Sequence, residues 1–252
     1  LEQGYEVVGL TFKFTEDFDV SDAIKVCEKL SIEHHIVDYR DVFKETVINK
    51  FIGDYDRGIT PNPCILCNRE VKFNFLYQNM KKFNCDYIAT GHYAKIENGK
   101  LKMANTKEKD QSYFLWGINK DILDKVILPL QDYDDKDMVR EIAFKAGISV
   151  SNKKDSQEVC FVPNDDYKAF LDSNLDSLPK SGDIVLKDGT VLGKHNGLVY
   201  YTVGQRKGLG AFGRPVFVKE IRPETNEVVL ASNDELFSKV LYADRLNFVL
   251  RV

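Results

Sequence analysis

Hydrophobic positions along the first ninety residues alternate between two periods. Residues 5–14 are strand-like and carry the apolar run Val7-Val8-Gly9-Leu10. Residues 19–30 put Ala23, Val26, Cys27 and Leu30 on one helical stripe, with Asp19 or Ser21 near the start as a cap. Cys27 lies on that stripe and reads as a core residue. Residues 33–38 return to a short strand, where the neighbours His34 and His35 point to opposite faces and cannot form one compact site alone. An amphipathic helix over 40–51, another over 69–83 and a strand over 86–90 follow. This beat predicts βα units around a parallel sheet, an α/β fold. The loops at strand C-termini in such sheets form the ligand crevice, which places Gly91-His92-Tyr93 at it. A histidine there is, on its own, more often a hydrogen-bonded structural group than a catalyst.

The second half changes texture. Glu97-Asn98-Gly99-Lys100 is a hairpin turn signal, and residues 135–146 form a helix ending at Gly147. A short helix over 164–171 is predicted next. From Ser181 onward, strands at 183–187, 190–192, 198–203, 215–221, 227–231 and 246–252 are separated by Gly, Asn and Asp turns, a β-rich module or two.

One loop interrupts the helical texture, Thr60-Pro61-Asn62-Pro63-Cys64-Ile65-Leu66-Cys67-Asn68. Its two prolines argue against a continuous helix, and Asn68 is placed to cap one that opens at Arg69. Two thiols would then sit at a helix N-terminus, where the dipole favours a thiolate. A structural zinc needs about four N/S ligands, usually as two pairs, and no second pair exists. Two incidental cysteines remain an equal reading of this pair alone. The loop Thr202-Val203-Gly204-Gln205-Arg206-Lys207-Gly208-Leu209-Gly210 lacks the Gly-Lys-Ser/Thr ending of a P-loop. It reads either as a connector with two solvated cations or as a backbone loop that contacts phosphate.

Composition narrows this picture. At 252 residues two or three domains are expected. Five cysteines, an odd number in a chain this long, point to functional or buried thiols in a reducing, cytoplasmic setting and not to a disulfide framework. The net charge of −4 gives no global case for nucleic acid, so any RNA contact must come from local patches. No apolar run is long enough to cross a membrane. Leu1-Glu2-Gln3-Gly4 reads as the last turn of a helix, so an upstream segment is expected.

Taken together, the motifs resemble those of the tRNA-specific 2-thiouridylases, which place sulfur on the wobble uridine of certain tRNAs. The stretches are Gln3-Gly4-Tyr5-Glu6-Val7 into Gly9-Leu10, the Thr60–Asn68 loop continuing to Lys72-Phe73, Ala89-Thr90-Gly91-His92-Tyr93-Ala94, Asp110-Gln111-Ser112-Tyr113-Phe114-Leu115, Lys154-Asp155-Ser156-Gln157-Glu158-Val159-Cys160-Phe161, and Tyr201 to Gly210. The resemblance implies an N-type ATP-pyrophosphatase domain with a Rossmann-like parallel sheet over 1–162, incomplete at its start. A small central domain over 163–213 and the beginning of a C-terminal β-barrel over 214–252 would follow. It implies use of Mg-ATP to adenylate the uracil 2-oxygen, then sulfur transfer from a persulfide on Cys160. Cys67 would be the partner nucleophile that releases the sulfur and is left in a disulfide. Asn62, Pro63 and Cys64 would meet the target base, and Phe12 and Gly91 the adenine nucleotide. His92, Lys109, Asp110 and Gln111 would meet tRNA, and a separate protein would donate the persulfide sulfur. Cys64 stands where the family commonly has Asp, which opens an alternative in which Cys64, Cys67 and Cys160 ligate an iron–sulfur cluster. The family's glycine-serine pyrophosphate loop would lie just before Leu1, so a truncated, non-catalytic tRNA-binding chain is a third expectation.

Overall fold

The computed structural model describes residues 1–148, 159–244 and 246–247. The chain forms two compact units, one of 1–47, 64–161 and 247–252 and the other of 48–63 and 162–246.

The first unit opens with a βαβ element. Strand β1 (Val8–Lys13) pairs in parallel with β2 (Glu33–Asp38), in a register running from Val8 opposite Glu33 to Lys13 opposite Asp38. Helix α1 (Ser21–Leu30) makes the crossover and stops at Ser31, which adopts the left-handed conformation. Gly9 lets this helix close on the strand, since a Cβ there would come within 2.7 Å of the Cys27 sulfur. Cys27 is therefore a core residue, as its stripe position suggests, and burial raises its thiol pKa. His34 and His35 do take opposite faces: His34 bonds Thr11 Oγ1 at 2.9 Å, while His35 stacks on Phe83 with centroids 4.3 Å apart.

Helix α2 (Arg40–Phe43) continues through a π-helical segment (Lys44–Ile48) into α3 (Asn49–Asp56). After a break come α4 (Pro63–Leu66), a second π-helical segment (Cys67–Lys72) and α5 (Phe73–Lys82), one unbroken helical run. The expectation of a helix capped by Asn68 is thus corrected. The helix begins six residues earlier, on Pro63, because proline at the first helical position costs no hydrogen bond and already has a helical φ.

Strand β3 (Ile88–Ala89) is parallel to β6 (Val126–Ile127), and β4 (Lys95–Glu97) pairs with β5 (Lys100–Lys102) as a hairpin. Asn98 and Gly99 both have positive φ, the geometry the Asn-Gly pair favours. Phe73, Leu115, Leu123 and Leu128, each nearly inaccessible, centre the core beneath these elements. Helix α6 (Lys136–Lys145) is capped by Asp135, which accepts from Asp137 N, and closed by Gly147 at φ 69°.

The second unit holds a four-stranded sheet. Strands β7 (Gly182–Leu186), β8 (Val191–His195), β9 (Phe217–Arg222) and β10 (Glu227–Ala231) lie in the order β8-β7-β10-β9, with only β7 and β10 parallel. Val218, Val228 and Leu230 are fully buried at its centre. Helix α7 (Tyr167–Asn174) starts on Asp166, whose carboxylate accepts from Ala169 N. Tyr55 of α3 stacks on Tyr167 and Phe51 packs edge-on against Phe170. The strand expected over 198–203 is instead a 3-10 turn, Leu198–Tyr200. Gly197, at φ 153° and with Pro179 against its Cα, turns the chain before a strand can form. Of the strand expected over 246–252, residues 246–247 are not in a strand and the rest lies outside the described residues.

Candidate active site: one lysine among three thiols

The site is built on the helical run 63–82. Cys64 is exposed in its first turn, whereas Cys67 is only 6% exposed and Asn68 3%. From Cys67 to Lys72 the helix widens to i→i+5 bonding, a feature that recurs at functional sites. The widening has a geometric consequence. In a regular α-helix five residues advance by about 500°, which would put Lys72 some 140° away from Cys67. One π turn brings residue i+5 back toward the side of residue i.

Lys72 is half-buried, and among the described residues it forms no ion pair with a carboxylate. Its charge acts instead on four other side chains: Cys64, Cys67, Cys160 and His92. Cys160 reaches this group from a distant part of the chain. The next residue, Phe161, is buried edge-on against Phe43 and anchors it. The motif residues Lys154 to Glu158 lie outside the described residues.

The thiols are protonated in this state. Burial pushes the Cys67 thiol up to about 12, Lys72 opposes that shift, and Cys160 and Cys64 add to it. Burial also raises Cys160 and Cys64, again against the pull of Lys72. This corrects the expectation of a helix N-terminus that lowers the Cys67 pKa. Cys67 sits a full turn inside the helix, where its donors are already bonded and desolvation dominates. All five cysteines are free, so the disulfide that the resemblance implies between Cys67 and Cys160 is not formed here. Among the described residues, no three of His, Cys, Asp and Glu are gathered closely enough to hold a metal ion.

His92 follows β3. Its Nδ1 lies 2.8 Å from Thr90 Oγ1, and its ring leans on Phe73 at 5.9 Å. Burial, then the Lys72 charge, lower its pKa to about 4, so it is neutral at pH 7. A base whose folded pKa lies below its unfolded value of about 6.5 contributes full stability above pH 6.5. That contribution falls as the pH drops toward 4, by about 3 kcal/mol in all. Urea unfolding of the wild type and His92→Gln between pH 7.5 and 4 should therefore diverge, the wild type losing stability more steeply. Parallel curves would mean that His92 is not held neutral by the fold.

The segment Lys109-Asp110-Gln111 divides by role. Asp110 accepts from Ala104 N at 2.7 Å and from Ser112 Oγ at 2.7 Å. Gln111 clamps Tyr93 twice, Oε1 accepting from Tyr93 N at 2.9 Å and its N donating to Tyr93 O at 2.7 Å. Gln111 thus fixes the residue next to His92, Asp110 fixes the turn of its own segment, and Lys109 is exposed. Asn68 joins the helix to the same segment through Nδ2 donating to Phe114 O at 3.1 Å, and its Oδ1 is buried without a hydrogen-bond partner. The sequence marks Asn68 only as a helix cap and Lys72 only as part of a motif, and assigns neither a role in the site. The signal available was a lone cation in the apolar run Val71-Lys72-Phe73.

Of the two residues expected to meet a nucleotide, Phe12 is buried at the C-terminal half of β1 against Tyr39, 5.2 Å between centroids. Gly91 is exposed just after β3, where a Cβ would meet only Leu130 Cδ1 at 3.9 Å. That bare backbone at a strand C-terminus suits a flat ring. Asn62 is exposed and Pro63 buried, both in the second unit, and Cys64 begins the next segment of the first.

Two family models match, a tRNA methyl transferase HUP domain over residues 2–164 and a tRNA methyl transferase PRC-barrel domain over 168–232. The tRNA-specific 2-thiouridylase MnmA of Clostridioides difficile is 44% identical over 98% of this chain and 74% of its own length. Those of Lachnoclostridium phytofermentans and Clostridium beijerinckii are 45% and 43% identical over the same shares. A HUP domain followed by a PRC-barrel domain agrees with an α/β unit holding parallel strands and a second unit holding a four-stranded sheet. With both domains matched in order and such identity along nearly its whole length, the chain belongs to the tRNA-specific 2-thiouridylase family.

Proposed function

We propose that this chain thiolates the 2-position of the wobble uridine in tRNA, with Cys160 as the persulfide carrier and Cys67 as the thiol that releases the sulfur. The observation that supports this reading is one half-buried lysine acting on three thiols, of which Cys160 is distant in sequence from Cys64 and Cys67. Sulfur transfer needs such an arrangement because one thiol must displace the other. The Cys67 sulfur attacks the inner sulfur of the Cys160 persulfide, the outer sulfur leaves with the bonding pair as hydrosulfide, and a Cys67–Cys160 disulfide remains. An external dithiol then reduces that disulfide by two electrons. Lys72 favours the anionic form of both Cys67 and Cys160, the two protein sulfurs of the exchange.

In this reading the adenine end of ATP meets the bare backbone of Gly91 after β3 and the end of β1 near Phe12, which packs on Tyr39. When bound, ATP supplies the activation that turns the uracil 2-oxygen into a leaving group. Asn62, Pro63 and Cys64 are placed at the target base in this reading. Lys109 meets tRNA phosphate, and Asp110, Gln111 and His92 act by holding the contacting loops. A persulfide donor protein and tRNA are the partners, and free thiols of this kind fit a reducing cytoplasm. No helix among the described residues is long and apolar enough to cross a membrane.

The family models' descriptions name methyl transfer, whereas the names of the similar curated proteins specify 2-thiolation, which favours the sulfur reading. Incubation with tRNA, ATP and a persulfide donor, followed by nucleoside mass spectrometry, should give 2-thiouridine that depends on both added reagents. Methylated uridine without sulfur would overturn the proposal. Thiolation that rises in proportion to bound iron would replace the relay with a cluster on Cys64, Cys67 and Cys160.

A further inference from the structure

The chain has a net charge of −4, yet no Asp or Glu occurs between Asp188 and Glu220. That acid-free run carries Lys194, Arg206, Lys207, Arg214 and Lys219. Two of these cations are engaged within their own unit. Lys194 pairs with Asp183 at 2.7 Å, and Lys219 donates to Glu235 O. The other three are exposed and, among the described residues, form no ion pair.

The loop that presents them is held rigidly. Gly204 N donates to Val218 O at 2.7 Å and Val218 N to Gln205 O at 2.9 Å, which fastens the loop to the start of β9. Inside it, Gln205 Oε1 accepts from Thr202 N at 3.0 Å and Nε2 donates to Lys207 O at 2.9 Å. Leu209 is buried in the sheet core, and the Arg206 guanidinium lies 6.0 Å from the Phe217 ring centroid. A connector with solvated cations needs none of this fastening.

The outer face is backbone. Gly204 and Gly213 have positive φ with nothing within 4 Å of a Cβ position, and Gly208 meets only Gln205 Nε2 at 3.9 Å. The successive N–H groups of Arg206, Lys207 and Gly208 donate to no acceptor among the described residues. Free N–H groups beside cations that form no ion pair, on bare backbone, suit phosphate oxygens. Such contacts position a nucleic acid without reading its bases.

We infer that the loop of residues 202–214 is a second, sequence-independent RNA-backbone site, with Arg206, Lys207 and Arg214 gripping phosphates of the substrate tRNA. The inference rests on the tRNA reading above and adds a contact surface on the second unit.

The test is fluorescence anisotropy of labelled unmodified tRNA against the full chain, titrated from 50 to 200 mM KCl. Three proteins are compared: wild type, the Arg206→Gln, Lys207→Gln, Arg214→Gln triple variant, and a charge-matched control, Lys180→Gln, Lys187→Gln, Lys239→Gln. Each phosphate contact contributes roughly one unit to the slope of log K on log salt. The loop variant should lose at least tenfold in affinity and about two to three units of slope, with the control within about threefold of wild type. Equal effects of the two triple variants, or none from the loop variant while wild type binds, overturn this site and leave the thiolase reading standing. No tRNA binding by wild type at 50 mM KCl overturns both.

Discussion

Replacing Cys160 with alanine is expected to abolish 2-thiouridine formation, a loss of at least about 10³-fold or 4 kcal/mol in the transfer barrier. The substitution deletes the atom that carries the sulfur, so no other group can compensate. tRNA affinity should stay within about twofold, because Cys160 lies among thiols and not on a cationic surface. Cys67→Ala is expected to be equally inactive in turnover, with one difference: the persulfide loaded on Cys160 should accumulate, visible as a 32 Da addition to the protein (about the mass of one sulfur). Cys64→Ala should cost less than about tenfold, since Cys64 is exposed and has no part in the exchange. Cys160→Ala turning over at the wild-type rate would remove the persulfide role, whatever the other variants do. Comparable collapse of all three variants would instead favour a shared ligand role for the thiols.

Lys72→Met is expected to slow thiolation by about 10²-fold at pH 7.5, equivalent to roughly 2.7 kcal/mol. Lysine and methionine have similar length, so packing beside Val71 and Phe73 is retained while the charge is lost. The electrostatic account carries a signature that a packing defect does not. Lys72 lowers the pKa of Cys64, Cys67 and Cys160, and of His92 as well. Its removal should therefore move the alkylation midpoints of the thiols to higher pH and, in the same protein, raise the His92 pKa measured by NMR. Lys72→Arg should keep most of the rate and both pKa positions. A slow Lys72→Met enzyme with unmoved thiols and histidine would assign the residue a structural role. Stability should change little, because a half-buried cation without a carboxylate partner is being replaced by an apolar group.

The parts of the fold legible in the sequence are those fixed by local chemistry. The βαβ opening followed from a switch between two periods, the hairpin from the Asn98-Gly99 pair, which does take positive φ at both residues, and the end of α6 from Gly147. Pro63 was misread because proline has two meanings, breaker in a helix interior and favoured first residue at its start. Only the backbone beyond it decides which applies. The π segment Cys67–Lys72 leaves no periodic trace, since one widened turn shifts the phase of a stripe without breaking it. That hidden shift is what sets Lys72 beside Cys67. The thiol pKa failed for a related reason: it is set by the burial of Cys67, only 6% exposed, and burial depends on the tertiary packing around the helix and not on the spacing of two cysteines. Asp110 and Gln111 stand in a recognisable motif, but only coordinates reveal that their side chains bind Ala104, Ser112 and Tyr93 internally. The cationic loop was visible as a motif. Its rigidity and its unpaired charges were not.

The central claim is that sulfur leaves Cys160 by exchange with Cys67. Its most direct test is a single turnover of persulfide-loaded protein with ATP and tRNA, without reductant, quenched in N-ethylmaleimide and mapped by peptide mass spectrometry. The account predicts a Cys67–Cys160 disulfide formed in one-to-one proportion to 2-thiouridine. Thiouridine formed in full while Cys67 and Cys160 are both recovered as alkylated thiols would contradict it.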